Sequence, residues 1–157
     1  MPVKWLSRAE ALAYLAGCRE GRLATNGADG QPYIVPLNYV VQDEKIYFHC
    51  ALRGRKLDNI AANDRVCFEV SEREKYIIAE AACDSATRYI SVLVFGRAQL
   101  VACVQKKVEV LNAFMTKFAD GGKFRRVDEA MASGCAVVMI SIDQISGKRS
   151  VDPENKG

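Results

Sequence analysis

What this chain has little of narrows its chemistry. It carries one histidine, His49, and little net charge: 22 Lys and Arg against 19 Asp and Glu leave +3. Nucleic-acid binders usually show a stronger basic stripe, so no nucleic-acid partner is expected. No apolar run approaches the ~20 residues of a membrane span. The opening "MPVKWLSRAEALAY" is charged throughout and lacks the apolar core of a signal peptide. A cytoplasmic protein with no membrane partner is the expectation. The six cysteines, Cys18, Cys50, Cys67, Cys83, Cys103 and Cys135, are spread widely and form no C-x-x-C pair. That spacing argues against zinc ligation, and without a secretory signal it argues against a disulfide framework. Reduced thiols, most of them small core residues, are expected, and no metal site. The dinucleotide pattern G-x-G-x-x-G is absent, as are internal repeats and low-complexity segments.

What is there suits one compact domain with a real core: 157 residues, 50% apolar and 26% charged. The domain is placed at residues 1–145, with a polar, loose tail at 146–157. "SRAE" at 7–10 reads as a capping box, followed by helical spacing of Ala9, Leu12, Ala13 and Ala16 and a stop at Gly17. Asp29-Gly30 between two apolar runs signals a hairpin. Pro36 lies inside the second run. Proline donates no ladder hydrogen bond, so it marks an edge, a bulge, or a place where a ligand replaces the neighbouring strand. "IYFHCA" is a third strand, "RVCFEVSE" at 65–72 a fourth, and "RYISVLVFGRAQLV" at 88–101 a fifth, with Gly96 marking a bulge. "CAVVMISI" at 135–142 is the last. Residues 73–87 have no clean period and read as a loop or frayed strand end. Helices fall at 55–62 and about 103–119. Hairpins dominate the first half, so the fold class is mainly β: a small antiparallel barrel flanked by short helices.

Chemistry concentrates at "YFHCALRGRKLDNIAAND", residues 47–64. A strand leads to Arg53, Gly54, Arg55 and Lys56, and then to a helix. Amides at a helix N-terminus are unpaired and the helix dipole favours negative charge there, so two cations in the first turn call for a bound anion, such as a phosphate. The alternative is a solvated charged turn. A nucleotide P-loop needs glycine where His49 stands and Ser or Thr where Leu57 stands. His49 reads either as a polar surface residue or, on a strand face leading into the basic turn, as a phosphate donor or catalytic proton donor.

"GRLATNGADGQPYIVPLNYVV", "IYFHCALRGRKLDNIAANDRVCFEV" and "SVLVFGRAQLV" together resemble the flavin-binding split β-barrel superfamily of the pyridoxamine 5′-phosphate oxidases, over roughly residues 5–145. The nitroimidazole-reductase-like (nitroimidazole resistance) branch is the most similar. The resemblance implies a six-stranded split barrel and a homodimer with FMN in clefts at its interface. It implies that Lys56 and Leu57 at the helix start, with His49, Cys50 and Ala51, surround the phosphate, and that Thr25 stands near the phosphate or ribityl chain. Pro36, Leu37, Asn38 and Tyr39 would lie along the isoalloxazine ring, largely through backbone groups, with Ser91 near the ring from the long interface strand. His49 is the implied catalytic residue. Cys50 stands where relatives often carry serine. The tail motif that holds substrate in pyridoxamine phosphate oxidases has no counterpart here, so vitamin B6 oxidation is not implied.

The expected function is an FMN-dependent oxidoreductase that passes electrons to a small-molecule acceptor such as a nitroaromatic. A second expectation of a different class is a non-enzymatic flavin- or haem-binding carrier or sensor on the same barrel. In the haem case His49 would be the available axial imidazole.

Overall fold

Residues 2–81 and 85–151 are described by the structure, a computed structural model. Among them the order is β1 (Val3–Leu6), α1 (Arg8–Gly17), β2 (Glu20–Asn26), β3 (Pro32–Asn38), β4 (Val40–Gln42), β5 (Lys45–Cys50), α2 (Arg55–Ala62), β6 (Arg65–Ile77), β7 (Ala86–Leu100), α3 (Val104–Phe118), α4 (Glu129–Ser133) and β8 (Ala136–Ser150). The strands form one sheet in the order β3-β2-β6-β7-β8-β5-β4, with β1 added to β8, and every pairing is antiparallel. β3 and β4 are the two ends of that order, yet only Tyr39 separates them in sequence. A sheet whose edges are joined by one residue must curl until they meet. Since β3 and β4 share no ladder, the barrel is split along that seam.

Side-chain alternation fills the barrel. Leu23, Ile46, Phe48, Phe68, Val70, Val92 and Ile140 point inward and are fully buried. Tyr39 joins them, its ring edge-on to Phe68 with centroids 4.8 Å apart. Burying side chains of this size contributes about 1.5–3 kcal/mol each. The capping box forms as expected: Ser7 Oγ accepts from the Glu10 amide at 3.2 Å, and the Glu10 carboxylate accepts from the Ser7 amide at 2.7 Å. The bulge falls between Phe95 and Gly96, where a Cβ on Gly96 would come within 2.0 Å of the Ser141 carbonyl oxygen.

The mainly β split barrel holds, with eight strands rather than six. β1 and the three-residue β4 carry too little pattern to be read as strands. β6 runs to Ile77 and β7 starts at Ala86, so most of the stretch read as a loop at 73–87 is a two-stranded ribbon. Residues 71–76 are exposed on both faces and a register shift falls between Arg73 and Lys75, so no burial period is imprinted there. β8 continues to Ser150, so residues 146–150 belong to the sheet and not to a loose tail. They are held by backbone ladders to β7 and β1, and the Ser150 hydroxyl accepts from the Tyr89 amide at 2.8 Å. Backbone pairing needs no apolar sequence, which is why the polar run gave no sign of it. Among the described residues Cys18, Cys50, Cys67, Cys103 and Cys135 are free thiols; Cys83 lies outside them.

Candidate functional site

β5 ends at Cys50, and an exposed segment, Ala51 to Gly54, leads into α2. Gly54 has φ 139° and ψ 160°, a region essentially reserved for glycine. A Cβ there would meet nothing within 4 Å, so the requirement is conformational and not spatial. The Gly54 carbonyl accepts from the amides of Leu57 at 2.8 Å and Asp58 at 3.2 Å, which starts the helix. No side chain caps α2, so the amides of Arg55 and Lys56 remain open at the positive end of the dipole. Among the described residues neither Arg53 nor Lys56 has a carboxylate partner. The Arg55 guanidinium lies over the Tyr33 ring, 4.7 Å from its centroid, which ties the turn to β3. Lys56 is close enough to Cys50 for its charge to act on the thiol. Burial pushes the Cys50 pKa up, and the lysine offsets only part of that. Cys50 is therefore a neutral thiol at pH 7, a weak donor at the mouth of the turn.

A hydrogen-bonded chain fixes α2 under the sheet. Asn59 Nδ2 donates to Thr25 Oγ1 at 2.9 Å, and Thr25 Oγ1 donates to the Tyr33 carbonyl at 3.4 Å. Thr25 is 2% exposed, so its hydroxyl is spent on joining α2, β2 and β3. Thr25 thus supports the basic turn from beneath. The sequence reading missed Asn59. Its one signal was a polar side chain beside Ile60 on the buried stripe of an amphipathic helix. It also missed the Arg55–Tyr33 contact, which joins residues remote in sequence.

The remaining candidates divide by position. Pro36, Leu37 and Asn38 lie on β3, an edge strand, so the proline sits where its missing N–H costs no ladder bond. Pro36 and Asn38 are exposed on the outer face, while Leu37 turns inward against the core. The Tyr39 side chain is in the core, and its hydroxyl donates to the Leu15 carbonyl. Leu57 also packs on the core and anchors α2, and Ala51 is exposed at the end of β5. His49 points to the opposite side of β5 from Cys50. Its ring stands edge-on to Phe114 of α3 at 4.7 Å between centroids. Partial burial there pulls its pKa below the ordinary value, so the imidazole is neutral at pH 7 even though the residue keeps an exposed surface. Ser91, on β7, pairs with Ser71 and Lys148 and lines a separate outer-face cavity of 260 Å³. Within one chain, Cys50, Ala51, Arg55, Lys56 and Leu57 gather around the turn; Ser91 and the His49 imidazole do not.

The sequence profile of the pyridoxamine 5′-phosphate oxidase family matches residues 7–149. The chain belongs to this family. It is 33% identical over 92 residues to the 5a,11a-dehydrotetracycline/5a,11a-dehydrooxytetracycline reductase of Streptomyces rimosus, a match covering 56% of this chain and 59% of that protein. The chain thus spans about three fifths of that relative's length. Among solved structures, an FAD-binding protein of Mesorhizobium loti is similar with TM-score 0.72 and 28% identity, over 96% of this chain and all of that one. A candidate 5-nitroimidazole antibiotic resistance protein of Bacteroides thetaiotaomicron superposes with TM-score 0.76 at 18% identity, over 95% of this chain and 89% of that one.

Proposed function

We propose that this chain is a flavin-dependent oxidoreductase that seats FMN by its phosphate on the Gly54–Lys56 turn and reduces a small conjugated or nitroaromatic acceptor. One observation carries the reading: a helix start with open amides and, among the described residues, no capping side chain and no carboxylate partner for Arg53 or Lys56, next to the edge strand β3. Cations at a helix N-terminus oppose the dipole, and a phosphate offsets that cost by accepting hydrogen bonds from the amides and from Lys56. From Tyr33, beside Arg55, to Leu37 the β3 edge runs ~13 Å at about 3.3 Å per residue. Among the described residues the side of β3 turned away from β2 has no strand partner, so its backbone groups are free to hold a ring. Bound flavin supplies the electron- and hydride-transfer chemistry. The chain's own residues bind the phosphate, orient the ring along β3 and exclude water.

FMN is favoured over FAD because the turn seats one phosphate. Neither the end of β5 next to it nor the 27–31 loop adds a further cationic side chain at that end. His49 is the proposed catalytic residue. Among the described residues its ring nitrogens make no hydrogen bond, which leaves the neutral imidazole free to donate a hydrogen bond to a ligand at the β5 end, and the imidazolium formed at lower pH to deliver a proton there. The reductase from S. rimosus and the FAD-binding protein from M. loti support a redox flavoprotein, and the B. thetaiotaomicron neighbour motivates nitroimidazoles as a first substrate class to try.

A homodimer completes the proposal. A row on the outer face runs Ile34, Ala24, Cys67, Phe95 across four strands, with Ile34 63% and Phe95 48% exposed. Such a row gains from being covered by a second copy. Sedimentation at micromolar concentration is expected to show a dimer, and a stable monomer would contradict it. The function itself is tested by boiling the purified protein and chromatographing the supernatant after loading with FMN and FAD in competition. Recovery of FMN and turnover of nitroaromatics with reduced flavin support the reading. Binding without any turnover indicates a carrier, and no flavin binding removes the proposal.

A further inference from the structure

We propose that Trp5, Lys148 and Ser91 form the ring-binding subsite for the electron acceptor, taking a planar conjugated ring that carries a carbonyl or nitro oxygen. The inference deepens the oxidoreductase reading and rests on it for the acceptor's role. Three strands bring the residues into one straight row: Trp5 on β1 pairs with Lys148 on β8, and Lys148 pairs with Ser91 on β7. All three point to the outer face, because their neighbours Leu6, Gly147 and Val92 turn inward; Val92 is fully buried and a Cβ on Gly147 would press against Leu6 and Ala11. The row lines a cavity of 260 Å³ whose other walls include Leu93 and Glu69. That volume holds one or two fused rings and falls short of a drug-sized pocket.

Each residue offers a distinct part of the recognition. Trp5 is the only tryptophan of the chain and is 68% exposed, an unusual position for the largest aromatic side chain unless its face is used. A conjugated ring stacks on the indole. Lys148 has no carboxylate partner among the described residues; its ammonium lies 5.8 Å from the Tyr89 ring centroid. The neighbouring Glu69 is instead turned to Arg22, at 3.4 Å. The Lys148 ammonium and the Ser91 hydroxyl are thus both available to donate to an oxygen on a stacked ring, and they favour it more as negative charge builds on that oxygen. The subsite lies on the same outer face as the apolar row proposed for dimer contact, so in a dimer it faces the partner copy. This gives Ser91 a place in the reaction without requiring it to reach Lys56 of its own chain.

The probe is menadione, a two-ring quinone, with binding measured by calorimetry on the flavin-loaded and the flavin-free full chain and turnover measured with reduced FMN. For W5A the menadione dissociation constant and KM are expected to rise about tenfold while FMN affinity stays unchanged. W5F, which keeps a ring on the same exposed edge, is expected to lose less than threefold and guards against misfolding. K148M is expected to raise KM several-fold and lower kcat. Unchanged menadione binding in both W5A and K148M overturns the subsite, whether or not flavin binds. Failure of the wild-type chain to retain any flavin, measured separately, overturns the oxidoreductase reading. In that event the calorimetric arm still decides whether Trp5 holds a planar ring.

Discussion

Lys117 and Lys56 are both half-buried lysines in the end turn of a helix, and their circumstances are opposite. Lys117 sits in the last turn of α3, where the dipole welcomes a cation. Its ammonium donates to the carbonyls of Ala16, Cys18 and Tyr39, the first at 3.2 Å and the last at 3.1 Å, and it lies 4.5 Å from the Tyr39 ring centroid. Beside it Arg19 is paired with Asp120 and donates to the Lys117 carbonyl. Lys56 sits in the first turn of α2, where the dipole repels a cation, and no described group partners it. A cation that uses all its donors on its own chain is a structural staple. A cation held against the dipole with open amides around it is placed to take a partner from outside. The fold tolerates that only because Thr25, Asn59 and the Arg55–Tyr33 contact hold the turn in place without an anion.

The contrast is sharpest in what each lysine's removal does. Lys117→Ala should lower unfolding stability by about 2–4 kcal/mol, since three carbonyls lose a charged donor, with part of the cost relieved by solvent at the half-exposed site. A urea or guanidinium titration measures it, and FMN affinity of the folded fraction should not change. Lys56→Ala should do the reverse. FMN binding weakens by about 1.5–3 kcal/mol, roughly one to two decades in Kd, with stability unchanged within about 0.5 kcal/mol. If Lys56→Ala destabilises the fold as Lys117→Ala does, or leaves flavin affinity intact, the distinction fails.

Gly54→Ala probes the turn without touching charge. Forcing a Cβ into φ 139° should cost about 1–3 kcal/mol of stability or reshape the turn, and FMN affinity should fall with it. An unaltered denaturation midpoint together with unaltered affinity would show that the turn's shape is not needed.

The smallest expected effect is at His49. Its folded pKa is depressed by burial beside Phe114, so below the unfolded pKa the unfolded state binds more protons. The stability contribution is complete above about pH 6.5 and is lost as pH falls through the lowered folded value. His49→Gln should flatten that slope between pH 7.5 and 5 in urea midpoints. In kinetics, His49→Ala should lower turnover more than flavin affinity; a proportional loss of both would make it a cofactor ligand only.

Much of the site was legible in the sequence because it is local. The strand end, the glycine and the basic helix start occupy ten consecutive residues, 47–56, and helix-end physics alone marks them as a candidate anion seat. Pro36 marked an edge, a bulge or a ligand-covered strand for the same reason, a missing N–H being a local fact, and β3 is an edge strand. The side-chain roles of Thr25 and Tyr39 were not legible. Whether a threonine hydroxyl is open to a ligand depends on Asn59, 34 positions away, and Tyr39 looks like part of a ligand strand until its ring is seen against Phe68.

Sequence by itself determined the alternating inward residues, the capping box, the Asp29-Gly30 hairpin, the Gly96 bulge and the basic turn, because each rests on contacts within a few residues or on a backbone preference. Tertiary structure alone decided that β3 and β4 are the two rims of one curled sheet. It alone added residues 146–150 to β8 and β1 to its flank, and set Trp5, Lys148 and Ser91 in one row. Those outcomes depend on register between strands far apart in the chain, and a ladder of backbone hydrogen bonds leaves no mark on side-chain composition.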